Sequence, residues 1–73
     1  KDMPEMMVVE SSMMNAVGYH APQQELHIAF LSGKRYVYEH VPEQVFRDLL
    51  SAESKGKYFS QAIRPLYKDF RAL

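Results

Sequence analysis

The sequence predicts an α+β fold: a three-stranded antiparallel meander followed by two short helices packed on one face. Three observations predict it. Apolar and polar residues alternate through ELHIAF (25–30) and RYVYEH (35–40), the period of half-buried strands. Ser32-Gly33 between them supplies a hairpin turn, with glycine where positive φ is needed. Beyond Val41-Pro42 the apolar period lengthens to that of a helix.

Lys1 to Glu10 reads as a flexible tail, and residues 11–73 as a single domain. Methionine in the tail stretch MPEMM adapts to irregular surfaces, which suits loose packing or a partner contact. MMNAVGYH (13–20) is the first strand, and Ala21-Pro22-Gln23-Gln24 the turn after it. In the second strand Leu26, Ile28 and Phe30 share one face, and His27 and Ala29 the other, which is read as solvent-facing. In the third strand Tyr36 and Tyr38 share one face, and Arg35, Val37 and Glu39 the other.

The first helix runs from about Pro42 to Ala52. Proline suits the first turn, where its missing N–H is not required, and Glu43 complements the helix dipole. Val45, Phe46, Leu49 and Leu50 form its apolar stripe, with Arg47 and Asp48 on the wet side. The second helix runs from about Lys55 to Ile63 and is capped by Ser54. Gly56 in its first turn permits close backbone approach. Pro65 ends it, with Arg64 leaning away from helical dihedrals. Leu49 and Ile63 fall in the core. Leu66, Tyr67, Phe70 and Leu73 follow and are available to cover an open edge.

A chain of 73 residues buries only about 60% of its unfolded surface, so the core is thin. It contains no cysteine, which removes disulfides and thiolate metal ligands. Neither an apolar run of membrane-spanning length nor a basic, apolar leader stands in the sequence, which reads as soluble and cytoplasmic. Net charge is zero, unlike the basic excess of sequence-blind nucleic-acid binders. The distribution is dipolar: residues 1–30 sum to −3 and residues 31–73 to +3.

SKGKYF (54–59) resembles a phosphate loop only in part. A helix precedes it, one glycine is present where two are needed, and tyrosine follows Lys57. His20, His27 and His40 lack metal-ligand spacing. No nucleophile elbow or triad setting is present, so no cofactor, metal, small-molecule substrate or catalysis is expected. KRYVY (34–38) admits two readings. Its tyrosines pack under the helices with Leu26, Ile28 and Phe30, or they stack single-stranded nucleic acid beside basic residues. Lys34, Arg35, Lys55, Lys57 and Arg64 are the candidate partner-binding residues, with Lys55 and Lys57 directed outward.

Taken together, Ser11-Ser12, Val17-Gly18-Tyr19, Leu26-x-Ile28-x-Phe30, Gly33, Tyr36-x-Tyr38, Val41-Pro42, Ser54-Lys55-Gly56-x-Tyr58-Phe59, Ile63-Arg64 and Tyr67 resemble the KTSC family. Its members are small domains at the C-terminus of some lysyl-tRNA synthetases, and also stand-alone bacterial and phage proteins. His20 and Ser60 depart from the usual pattern, which holds an aspartate and an asparagine there. Length and ends further resemble a small lytic-phage regulator of this type. That resemblance implies a non-catalytic protein of the host bacterial cytoplasm that binds bacterial RNA polymerase, inhibits initiation and affects termination. The alternative is a small module for RNA or single-stranded DNA using Lys34, Arg35, Tyr36, Lys55, Lys57 and Arg64.

Overall fold

A computed structural model describes residues 4–73. Five antiparallel strands form one sheet in chain order: β1 Met7–Val8, β2 Met14–His20, β3 Glu25–Phe30, β4 Arg35–Tyr38 and β5 Phe70–Ala72. Helices α1, Glu43–Ser51, and α2, Lys55–Tyr58, lie between β4 and β5 in sequence, and α2 runs on as a π-helical turn over Phe59–Ile63. The α+β class and the two short helices match the sequence expectation.

The meander of β2, β3 and β4 forms because its alternation and its turns agree. Val17 pairs with Ile28 and Ile28 with Tyr36, so their side chains share the face that α1 and α2 cover. The β2–β3 connection is a short 3-10 turn, Ala21–Gln23, with Pro22 in its first turn and Gln24 closing it at φ 54°. Gly33 closes the β3–β4 hairpin at φ +95°, with no atom within 4 Å of where a Cβ would stand.

Pro42 stands at the N-terminal boundary of α1 in an extended conformation, and Leu49 carries the helix's apolar stripe fully into the core. Ser54 caps α2 by accepting a hydrogen bond from the Lys57 N–H at 3.3 Å. Met14, Val17, Leu26, Ile28, Tyr38, Val41, Leu49, Phe59 and Ile63 form one buried cluster. Tyr19 bridges layers: it stacks on Phe46 at 5.4 Å and donates its hydroxyl proton to the Val41 carbonyl.

Several local expectations change. The sheet is wider than the predicted meander. Within the segment read as a tail, Met7 pairs with Val17 and Val8 with Ala16; Lys1, Asp2 and Met3 lie outside the described residues. The C-terminal segment does cover an open edge, and does so as a strand, Phe70 opposite Tyr38 and Ala72 opposite Tyr36.

Arg64 keeps helical dihedrals (φ −57°, ψ −45°) despite Pro65, because the chain still closes a bond from the Tyr67 N–H to the Ile63 carbonyl. His27 is not solvent-facing but 2% exposed. A Cβ on Gly56 would meet Met13 at an ordinary 3.5 Å. The close approach is at Gly18 instead, where a Cβ would stand 2.7 Å from Met6 Sδ and 2.8 Å from the Glu5 carbonyl oxygen.

Candidate functional site

Five aromatic rings close into a circuit on the helix-covered face of the sheet. Tyr36 and Tyr38 lie two apart on β4 and therefore point the same way. Phe30 ends β3 on that face, Phe70 sits across from Tyr38 on β5, and Phe59 descends from the helical layer. Neighbouring centroids are 5.7 Å (Phe30–Tyr36), 6.0 Å (Tyr36–Phe70), 5.2 Å (Phe70–Tyr38), 5.6 Å (Tyr38–Phe59) and 5.6 Å (Phe59–Phe30). Four contacts are edge-to-face, which sets ring edges against electron-rich faces.

The rings line an open depression of the surface. A cavity of about 540 Å³ opens there, lined also by Met13, Leu31, Ser32 and Arg64. Leu31 and Phe70 at its margin are 57% and 54% exposed. Burial pushes the Tyr38 phenol above its ordinary range, and the Arg64 charge opposes that rise. Arg64 thus stands beside an aromatic cup with its guanidinium paired to no carboxylate among the described residues.

The five sequence-predicted basic residues are divided by the fold. Arg64 lies at the cup, and Lys34 is exposed in the hairpin turn beyond it. Arg35 points to the opposite face of the sheet, where its Nη2 donates to His27 Nδ1 at 3.2 Å. Lys55 does not extend into solvent: its Nζ donates to the Ala52 carbonyl at 3.2 Å, at the end of α1. Lys57 is exposed as expected, beside a second cavity of about 320 Å³ with Glu53, Ser54 and Gln61. The Ser54 hydroxyl already occupies the Lys57 N–H that an anion at SKGKYF would need.

The opposite face of the sheet holds a compact charge network. The Arg35 contact leaves the His27 proton on Nε2, aimed at Glu25 Oε1 at 3.6 Å, close enough for attraction but too long for a hydrogen bond. Arg71 reaches Glu25 at 3.3 Å and also pairs with Glu39. Burial first, and Arg35 second, hold the His27 imidazole below its ordinary pKa. The network ties β3, β4 and β5 together. Among the described residues, no three of His, Asp or Glu converge as metal ligands, and no helix is long and apolar enough to cross a membrane.

The tyrosines of KRYVY follow the packing reading, and Phe59 and Phe70 complete a cup that the sequence does not announce. Alternation places Phe30, Tyr36 and Tyr38 on one face. Nothing local ties them to Phe70, more than thirty residues on.

A family model described as the KTSC domain matches residues 10–67. A protein of Tsukamurella paurometabola is 41% identical over 63 residues, spanning 86% of this chain and 94% of the relative. An uncharacterized protein of Stutzerimonas stutzeri is 41% identical over 59 residues, 81% of this chain and 83% of the relative. A lysine–tRNA ligase of Nostoc punctiforme is 39% identical over 59 residues, which are 81% of this chain but 10% of the ligase. The crystal structure of a KTSC domain protein from Yersinia pestis superimposes with a TM-score of 0.92 at 30% identity, covering 97% of this chain and 99% of the other.

Proposed function

The chain belongs to the KTSC domain family, and on that premise we propose that it is a non-catalytic docking module that works through the aromatic cup. The observation that carries this reading is the cup itself: five aromatic rings lining an open depression of about 540 Å³, with an arginine at its side that pairs with no carboxylate among the described residues. Hydrophobic sites with a few placed polar groups are where ligands and partner side chains bind. The proposed partner is bacterial RNA polymerase, which the protein restrains at initiation, with an effect on termination, as a lytic phage's regulator would in the host cytoplasm. Zero net charge favours a protein partner over bulk phosphate. So does the internal engagement of Arg35 and Lys55, which leaves no continuous basic track across Lys34, Arg35, Lys55, Lys57 and Arg64.

The second reading, a module for RNA or single-stranded DNA, has two observations in its favour. Aromatic rings beside an arginine are a stacking platform for unpaired bases, and relatives include stretches of lysine–tRNA ligases. Binding of purified polymerase and of single-stranded RNA, each titrated with salt, separates the readings. Polymerase binding with weak, steeply salt-sensitive RNA binding is expected. RNA binding with no polymerase binding would reverse the order of the two.

A further inference from the structure

β5 is an open edge. The Glu39 N–H bonds the Asp69 carbonyl and the Leu73 N–H bonds the Arg35 carbonyl, so the pairing residues of this strand are the odd-numbered ones. By antiparallel alternation the N–H and C=O groups of Phe70 and Ala72 point away from β4. All three residues of β5 are exposed.

The same two residues border the cup. Phe70 and Ala72 lie across from Tyr38 and Tyr36 and so face the helical layer with them. Ala72 offers only a methyl beside Tyr36, and Phe70 is 54% exposed. A strand laid along β5 would pair its backbone with Phe70 and Ala72 and set alternate side chains over this margin. Arg64 lies near Tyr38, so one of those side chains meets a positive charge. Lys68, just before β5, adds a second exposed cation.

We propose that β5 and the cup form one strand-addition site. The site takes an extended segment of a partner protein carrying an apolar and an acidic residue two positions apart. The proposal rests on the docking reading above and names how the docked segment is held. Backbone pairing supplies the register, the cup takes the apolar side chain, and Arg64 selects the acidic one. The opposite edge of the sheet, β1, is two residues long.

The probe is a short blocked peptide alternating threonine with phenylalanine and aspartate, so that the last two share one face when extended. Binding is followed by amide exchange and by titration. Expected are slowed exchange at the Phe70 and Ala72 amides and a loss of affinity of about tenfold or more in Ala72→Pro, which removes an outward donor. Proline at an edge position with an outward N–H is compatible with the fold, and circular dichroism checks it. If Ala72→Pro fails to fold, peptide N-methylated on its pairing amides reads the same interaction on the parent protein, and its binding should be lost. Absence of peptide binding, or equal binding by N-methylated peptide or by folded Ala72→Pro, overturns the proposal. So does concentration-dependent protection of Phe70 and Ala72 without peptide, which would assign the edge to a second copy of this chain. Polymerase bound by Ala72→Pro but not by Phe70→Ala would overturn strand addition while leaving the docking reading intact. Polymerase bound equally by both variants would overturn the docking reading as well.

Discussion

At the scale of single residues, Leu49, Gly18 and His27 carry distinct physical consequences. Leu49 is fully buried in the core, so Leu49→Ala removes buried packing and leaves a cavity. A loss of about 2–5 kcal/mol is expected, a large part of the stability of so small a domain, read by chemical denaturation. Gly18→Ala drives a Cβ into Met6 Sδ and the Glu5 carbonyl, and the carbonyl cannot swing aside as a side chain can. That substitution should detach the segment leading into β1, whereas Gly56→Ala meets Met13 at ordinary contact and should melt close to the parent. Thermal unfolding of the pair checks the contrast. His27 has a folded pKa below its unfolded value of about 6.5. The unfolded chain therefore takes up the proton first as pH falls, and the fold loses stability on acidification from about pH 6.5 downward. Melting temperature against pH should fall more steeply in the parent than in His27→Gln; parallel curves would remove His27 as the cause. The alternation of β3 assigns His27 to the outer face correctly. It cannot report what else lies on that face, and the Arg35 contact and the buried Glu25 turn an expected solvent position into a buried one.

At the scale of elements, legibility follows how local the cause is. The strands of the meander, α1 and the Ser54 cap are each specified by neighbouring residues: a period, a glycine turn, a proline, a hydroxyl before a helix. Ser54→Ala should cost about 0.5–2 kcal/mol, since it frees the Lys57 N–H. A denaturation midpoint unchanged from the parent would mean that solvent replaces the cap without loss. β1 and β5 are two and three residues long, too short to show a period, and they exist because the meander offers unpaired edges. Leu66, Tyr67, Phe70 and Leu73 mark the C-terminal segment as apolar enough to dock, but only the register with β4 makes it a strand. Arg64 illustrates the reverse case. The residue before a proline disfavours helical dihedrals, yet the following Tyr67–Ile63 bond outweighs that preference. The basic residues near the hairpin and α2 are adjacent in composition but not in space, because Arg35 belongs to the other face of its strand and Lys55 bonds back to α1.

At the scale of the whole molecule, the sheet separates two kinds of chemistry. One face holds the charge network of Glu25, His27, Arg35, Glu39 and Arg71, in which Arg35 bonds His27 and Arg71 pairs with Glu25 and Glu39 across β3, β4 and β5. The other holds the helices, the core and the aromatic cup, whose margin remains unsatisfied. The docking proposal therefore rests on the cup and not on the network. Charge reversal at exposed Lys57 should leave both fold and partner affinity near the parent's, because it sits apart from the cup and exposed charges contribute little to stability. The docking reading is tested most directly by the equilibrium affinity of purified bacterial RNA polymerase for the parent protein beside Phe70→Ala, each verified as folded. Binding by the parent is expected, with a loss of about tenfold or more in Phe70→Ala, the effect of truncating an aromatic anchor. No binding by the parent, or unchanged binding by Phe70→Ala, would contradict it.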